Sequence, residues 1–205
     1  MNGLPLLLAS ASPRRRDLLA AAGIDCEVGP VAVDERRRDE ESPADYVQRV
    51  ARLKAAEAAG RHPNRLVLAA DTAVVVDADV LGKPEDDRAA ARMLGQLSGR
   101  THQVLTAVAL AGEGRLAVEV ETTTVWMDVL SPEDIAWYVA TGEPRDKAGA
   151  YAIQGRASRF IPRIDGSYTN VVGLPVARVD RMLRTWRGSR TSDLPLPRTQ
   201  PYSER

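Results

Sequence analysis

The sequence is poor in cysteine, histidine and aromatic residues, and it has no net charge. Its 205 residues include one cysteine, two histidines, one phenylalanine, three tryptophans and five tyrosines, and 28 basic residues balance 28 acidic ones. The lone Cys26 excludes an internal disulfide, and neither histidine pairs with it at zinc-finger spacing. Because the charges balance, no global positive field attracts nucleic acid or an anionic membrane, so we predict neither as a partner.

Long apolar runs are also missing. No stretch approaches the ~18 residues of a membrane span. The apolar run at residues 4–9 has no basic residues before it, and it is shorter than the ~7–15 residues of a secretory h-region. We therefore expect a cytoplasmic protein. With 44% hydrophobic and 27% charged residues, the chain can bury a substantial core.

Strand and helix patterns alternate along the chain and predict one α/β domain over residues 1–187. Apolar, β-branched runs predict strands, and two long ones flank a Gly-Glu-Gly turn at 112–114, so we expect a hairpin and a mixed sheet. Periodicity does not separate loop from strand over 142–173. The predicted strands are 4–9, 25–28, 66–76 with a hairpin turn at 77–79, 104–111 and 116–127; the predicted helices are 13–23, 42–60, 86–97, 131–141 and 175–186. Residues 188–205, rich in proline, serine and arginine, predict a disordered tail.

The first candidate site is the sequence Ser-Ala-Ser-Pro-Arg-Arg-Arg at 10–16, where a strand ends and a helix begins. Free N–H groups and the positive end of the helix dipole favour an anion there, and Ser10, Arg14 and Arg15 add donors for phosphate oxygens. The same residues also fit a helix capped by Ser12 with solvated arginines on its first turn. Spacing alone favours neither interpretation.

The second candidate is Asp71, followed by Thr72, inside an otherwise apolar strand. A buried carboxylate without a partner costs several kcal/mol, so Asp71 needs a cation, a metal ion or a water-filled cleft. A salt bridge to one of the many arginines would satisfy it without any catalytic role. Lys83 follows the hairpin and could bring an ammonium near Asp71, although on its own it is typical of a surface lysine. Glu35 lies in a charged run that is typical of a solvated loop.

Six short motifs then occur in an order that resembles one family. They are Leu-Ala-Ser-Ala-Ser-Pro-Arg-Arg at 8–15, Ala-Ala-Asp-Thr at 69–72, Leu-Gly-Lys-Pro at 81–84, Leu-Ser-Gly-Arg-Thr-His at 97–102, Asp-Lys-Ala-Gly-Ala-Tyr-Ala-Ile-Gln-Gly at 146–155 and Gly-Ser-Tyr-Thr-Asn-Val-Val-Gly-Leu-Pro at 166–175. Together they closely resemble the Maf family of nucleoside triphosphate pyrophosphatases over about residues 4–186. The family was first associated with septum formation.

The resemblance implies a fold and a set of site residues. The fold would be a single elongated α/β domain, similar to inosine triphosphate pyrophosphatases, with a mixed sheet flanked by helices and a central cleft between two lobes. Asp71 matches the catalytic carboxylate, and Glu35 an acidic position that helps it hold a divalent metal, Mg²⁺ or Mn²⁺. The remaining matched positions are implied to bind substrate: Ser10, Arg14, Arg15, Lys54 and Lys83. Homodimers are common in the family.

The resemblance also implies a substrate class. Arg14, Thr72 and Gln154 occupy the positions at which the family's branches differ, and this set resembles the branch that acts on dTTP and UTP. The Gln154 amide offers a donor and an acceptor, which can pair with the O4 and N3–H edge of uracil or thymine. The implied reaction is attack of water on the α-phosphorus with release of pyrophosphate, with Asp71 as base. Two other functions stay open: a nucleotide-binding regulator of cell division with little catalysis, and a phosphatase that releases inorganic phosphate.

Overall fold

A computed structural model describes residues 4–188 and contains one mixed seven-stranded sheet flanked by helices, as the strand and helix patterns predict. The sheet order is β2-β1-β3-β5-β6-β7, with β4 pairing with β3. The strands are β1 Leu6–Leu8, β2 Glu27–Val28, β3 Leu66–Val76, β4 Asp79–Leu81, β5 Thr101–Gly112, β6 Arg115–Trp126 and β7 Arg163–Asp165. The helices are α1 Pro13–Ala21, α2 Pro43–Arg61, α3 Asp87–Leu97, α4 Pro132–Ala140, α5 Tyr168–Val172 and α6 Val176–Gly188, with 3-10 helices at Ala148–Ala150 and Arg156–Phe160.

The long strand β3 contributes to the hydrophobic core on both faces of the sheet, because its side chains alternate between the two faces. Odd-numbered residues such as Ala69 and Ala73 pack against α2. Even-numbered residues of the first half, such as Leu68, pack with α1 and α6. Those of the second half, such as Val74, pack with α3 and α4. One face of β3 therefore carries two separate groups of helices, and Thr72 lies between them.

The edge of β3 has a gap at the same place. On one side of the strand, β5 pairs with it along nearly its whole length in antiparallel register. On the other side, β1 pairs in parallel with the start of β3, and β4 pairs antiparallel with its end. The intervening residues 69–73 are therefore left open toward the loop that joins β1 to α1.

Turns form where the local sequence predicts them. Gly112 pairs with Arg115 across a two-residue turn, and both turn residues, Glu113 and Gly114, have positive φ angles, as the tightest hairpins require. The helix α1 stops near Gly23, whose φ of 68° lets the chain reverse there. Helices α2 and α4 begin directly after Ser42 and Ser131. The side chain of each serine accepts a hydrogen bond from an N–H group in the first turn of its helix.

Several boundaries differ from the sequence prediction. The strand predicted over 4–9 is only Leu6–Leu8, because the chain leaves the sheet to enter α1. The strand predicted from 104 starts at Thr101, which pairs with Trp126. The unassigned region 142–173 holds both 3-10 helices, β7 and α5. The predicted tail 188–205, apart from Gly188 at the end of α6, lies outside the described residues. Within 4–188, no helix is long and apolar enough to cross a membrane.

Candidate active site

An ion pair between α2 and β3 lies at the centre of the candidate site. Lys54 falls on the stripe of α2 that faces the sheet, in the periodic series of buried positions that also contains Val47, Ala51 and Ala55. Asp71 lies on the same face of β3 as Ala69 and Ala73, so each charge occupies a position of core geometry. Lys54 Nζ is 2.9 Å from Asp71 Oδ1, and the two residues are 8% and 6% exposed.

Glu35 joins this pair from the charged loop before α2. Its Oε1 lies 3.0 Å from Lys54 Nζ, so one ammonium contacts both carboxylates. The Glu35 side chain is about half exposed, whereas Asp71 is buried. Tyr46, on α2, lies close enough to these carboxylates for their charges to affect its phenol. Burial and the negative charges of Asp71 and Glu35 raise the pKa of Tyr46 to about 12. Sequence analysis did not single out Tyr46.

Burial dominates the electrostatics of Asp71. It raises the pKa of the carboxyl above its usual value, and the charge and hydrogen bond of Lys54 and the charge of Arg15 offset only part of this effect. An ion pair in water would lower a carboxyl pKa instead. Asp71 is therefore a better proton acceptor than an ordinary aspartate, because its charged form lacks most of its hydration.

The residues that lead into α1 lie beside the open edge of β3. Ser12 is the N-cap by position, but its side chain accepts no capping bond, and the first turn holds no acidic residue. Ser12 N donates instead to Ser10 Oγ at 3.2 Å. Thus the capped-helix interpretation fails for Ser12. Arg16 alone fits the solvated part of that interpretation, since it is exposed and pairs with Asp17.

Arg15 is buried and ties three segments together. Its Nε donates to Gly173 O at 2.9 Å, its NH1 to Ser10 Oγ at 3.1 Å and Ala70 O at 2.7 Å, and its NH2 to Thr72 Oγ1 at 3.1 Å. The guanidinium thus satisfies a backbone carbonyl at the open edge of β3. Burial lowers the pKa of Arg15, and the charge of Asp71 opposes that shift. With four acceptors already bonded, most of its donor capacity serves the fold.

The other predicted substrate residues are placed less tightly. Arg14 NH2 donates to Asp146 O at 3.3 Å, which brings the 146–155 motif beside the start of α1. Lys83 and Gln154 are exposed and, within residues 4–188, make no hydrogen bond or ion pair. Gly149 N donates to Gly82 O at 3.1 Å, so the loop of Lys83 adjoins the same motif. The ammonium at Asp71 belongs to Lys54, neither to Lys83 nor to an arginine.

The structure thus brings the predicted residues together in two contacting groups. Lys54, Asp71 and Glu35 form the first. Ser10, Arg15 and Thr72 form the second. Asp71 and Thr72 are adjacent on β3 and their side chains point to opposite faces of the sheet, but the charge of Arg15 still acts to lower the pKa of Asp71, against the larger effect of burial. Sequence reasoning missed Gly173, whose carbonyl accepts from both Arg15 and Thr72 Oγ1. The only sequence signal for it was its place in the 166–175 motif.

Asp71 and Glu35 are the residues of this site that could hold a divalent cation. Within the described chain, no cluster of three or more histidine, cysteine or acidic residues has metal-binding geometry. Two carboxylates still fit Mg²⁺ or Mn²⁺, since such ions are commonly held by one or two carboxylates together with substrate phosphates and water. The chain would then supply a partial ligand set that a polyphosphate completes.

Basic side chains gathered around a buried carboxylate, at a gap in a mixed sheet, define an α/β protein with a site suited to a polyanion. The family model described as Maf-like protein matches residues 5–186. The chain therefore belongs to the Maf family, and the resemblance inferred from the six motifs is confirmed.

Curated relatives extend over most of the chain. The dTTP/UTP pyrophosphatase of Koribacter versatilis is 53% identical over 182 residues, covering 89% of this chain and 94% of that protein. The dTTP/UTP pyrophosphatase of Symbiobacterium thermophilum is 54% identical over 178 residues, covering 87% and 92%. Among solved structures, the Staphylococcus aureus Ham1 protein aligns with a TM-score of 0.52 at 13% identity, covering 91% of this chain and 100% of that one. This last similarity concerns the fold alone.

Proposed function

We propose that this protein hydrolyses dTTP and UTP to the nucleoside monophosphate and pyrophosphate. The observation that carries the proposal is the buried Asp71, which shares the ammonium of Lys54 with Glu35 beside the Arg15 segment. A protein that only binds nucleotides has no need of a carboxylate facing a polyanion, because like charges repel. Relatives named dTTP/UTP pyrophosphatase, at 53% and 54% identity, support the substrate class.

The chemistry follows from the positions of the charges. Asp71 accepts a proton from water, the water oxygen bonds to the α-phosphorus, and the bond from that phosphorus to the bridging oxygen breaks. Pyrophosphate leaves with the electron pair. Arg14, Lys54 and Lys83 neutralise the triphosphate, and Ser10 contributes a hydroxyl donor. Phosphoryl transfer of this kind depends mainly on positioning and charge stabilisation.

Asp71 and Glu35 would hold the divalent cation that the family resemblance implies. When bound, Mg²⁺ or Mn²⁺ supplies Lewis-acid stabilisation of charge on the phosphate oxygens. Lys54 contacts both carboxylates in this structure, so the ammonium and the cation would compete for the same oxygens. We also propose that the protein is a homodimer and that it lies in the cytoplasm. Sedimentation of the purified protein tests whether it is a dimer.

The test is a screen of the purified protein against canonical and modified nucleoside triphosphates with Mg²⁺ or Mn²⁺. We expect dTTP and UTP to yield one pyrophosphate per monophosphate, and we expect chelation by EDTA to stop the reaction. Release of inorganic phosphate would indicate a phosphatase instead. Tight nucleotide binding without turnover would indicate the regulatory alternative.

A further inference from the structure

The backbone around Gln154 is held at two points by side chains that lie outside the predicted site. Ala152 N donates to Tyr138 Oη at 3.1 Å, two residues before Gln154. Arg156 N donates to Glu143 Oε2 at 3.0 Å, two residues after it. Gln154 itself is exposed, while its neighbour Ile153 is buried in the core beside β3. The glutamine thus projects from a segment whose backbone is hydrogen-bonded to a side chain on either side of it.

These two hydrogen bonds belong to one chain of hydrogen bonds. Tyr138 Oη donates to Glu143 Oε1 at 2.8 Å, so the phenol links Ala152 to the carboxylate that receives Arg156. Tyr138 is almost completely buried on α4. Burial, together with the hydrogen bond to Glu143, raises the pKa of this phenol still further above neutral pH, and Tyr138 is therefore the donor in this bond.

The fit around the carboxylate is close. Gly155 lies so near Glu143 that a Cβ added there would collide with the carboxylate carbon and both of its oxygens. Glu143 is in turn fixed by its own backbone, since its N–H donates to Thr141 Oγ1 at 3.2 Å and its carbonyl accepts from Lys147 Nζ at 2.6 Å. Any side chain larger than hydrogen at 155 would push the Gln154 segment away from this anchor.

We propose that Tyr138 and Glu143 are positioning residues for base discrimination, because they fix the segment that carries Gln154. The inference rests on the proposed function and on the role in reading uracil or thymine that the family resemblance implies for Gln154. The Gln154 amide can donate to O4 and accept from N3–H only when it lies within hydrogen-bond distance of both atoms, and the position of its backbone sets that reach. Discrimination therefore requires a fixed placement of the amide, and displacements of about 1 Å can cost about 100-fold in rate.

The test compares UTP with ATP, whose purine base does not present the O4 and N3–H edge, in Glu143→Gln and Tyr138→Phe. Glutamine has the size of glutamate, but one of its two terminal atoms is a donor, so it cannot accept at both positions from Tyr138 and Arg156. Phenylalanine removes the hydroxyl that joins Ala152 to Glu143. We expect the ratio of kcat/KM for UTP to that for ATP to fall about 10-fold or more in each variant. The KM for UTP should rise, with kcat changed less than about threefold, since Asp71 and Lys54 are untouched.

The two residues act through one chain of bonds, so the double variant should lose no more discrimination than the worse single variant. Glu133→Gln is the matched control: Glu133 is exposed on α4, the helix of Tyr138, and its side chain makes no hydrogen bond or ion pair within residues 4–188. Its ratio should equal that of the wild type. Thermal unfolding of every variant reports whether it is folded.

Each result decides the matter. A folded Glu143→Gln or Tyr138→Phe protein with an unchanged UTP-to-ATP ratio overturns the positioning role. If both variants fail to fold, the pair determines the fold and the proposal is rejected. A wild-type protein that hydrolyses neither UTP nor dTTP contradicts the proposed function itself. Hydrolysis by the wild type is therefore measured before any variant is compared.

Discussion

Lys54 and Asp71 form an ion pair inside the hydrophobic core, with 2.9 Å between Nζ and Oδ1. Each occupies a position that the periodicity of its own element assigns to an apolar residue. The pair exists because each charge compensates the other's loss of hydration, and this dependence makes several outcomes predictable.

Removing the lysine should destabilise the protein more than removing an exposed cation. Lys54→Met leaves Asp71 buried and unpaired, which should lower the free energy of unfolding at neutral pH by about 3 kcal/mol. The pKa of Asp71 is already raised, so losing Lys54 raises it further, and protonation should restore stability as the pH falls. Denaturant unfolding at pH 7 and pH 5.5 measures both effects.

The control for Lys54→Met is Arg61→Met, which removes an exposed partner of Glu57 on the same helix. That change should cost less than about 1 kcal/mol. A Lys54→Met protein as stable as the control at pH 7 would contradict the buried-pair interpretation.

Replacing the proposed base should stop turnover and leave binding. Asp71→Asn keeps an oxygen that can accept from Lys54, so the fold should persist. Pyrophosphate release should fall by about 100- to 10,000-fold, because the amide does not accept the proton from water. Calorimetric titration with UTP should give a dissociation constant near that of the wild type. Pyrophosphate release near the wild-type rate would eliminate Asp71 as the base.

Arg15 and Arg16 should respond very differently to the same conservative change. Arg15→Lys loses the planar fork that bonds Gly173, Ser10, Ala70 and Thr72, and a lysine cannot reach these diverging acceptors together. We expect a loss of about 2–4 kcal/mol in unfolding free energy. Arg16→Lys, at an exposed position, should change it by less than about 0.5 kcal/mol. Equal stability of the two variants would mean that the Arg15 network adds little.

His102 should make folding sensitive to acid. It is buried against Tyr151, with 2.8 Å between Nε2 and the phenol oxygen, and burial lowers its pKa to about 4. The unfolded imidazole titrates near 6.5, so the stability is complete above that pH and is lost as the pH falls toward 4. About 2 kcal/mol should disappear between pH 7 and pH 5.

His102→Gln tests this contribution, because it removes the titrating ring. The loss of stability between pH 7 and pH 5 should shrink in this variant, relative to the wild type. His62→Gln, at an exposed turn, is the control and should leave the pH profile as it is. Identical profiles for the wild type and His102→Gln would refute the assignment.

Gln154→Glu should weaken hydrolysis of UTP and dTTP specifically. A carboxylate lacks the donor that the amide offers to O4, so kcat/KM for these two substrates should fall by about 10-fold or more. Rates with purine triphosphates, measured in parallel, should change far less. An equal loss across all nucleotides would assign Gln154 a structural role.

The fold was largely predictable, because its long elements carry strong periodic signals. The strand predicted over 66–76 coincides with β3, and the hairpin at 112–114 follows from its turn residues. The region 142–173 was not predictable in this way. Its elements are three to five residues long and depend on tertiary contacts, such as Gly149 against Val74, that no local pattern records.

The candidate site was predictable in part. Asp71 stands out because a carboxylate interrupts an apolar strand. Lys54 could have been found in the same way, since it interrupts the apolar stripe of α2, although only the family resemblance pointed to it. The anchoring roles of Tyr138 and Glu143 depend on a chain of hydrogen bonds across residues 138–156. A glutamate in a polar loop sequence gives no signal that it takes part in such a chain.

The early end of β1 has a consequence for how this scaffold can change. Residues 69–73 of β3 have no strand partner on the side of β1 and β4, and five more residues of pairing would close that gap. Such an extension would displace Arg15 from Ala70 O without altering one charged side chain. The length of β1 therefore shapes the candidate site as much as the acidic and basic residues themselves do.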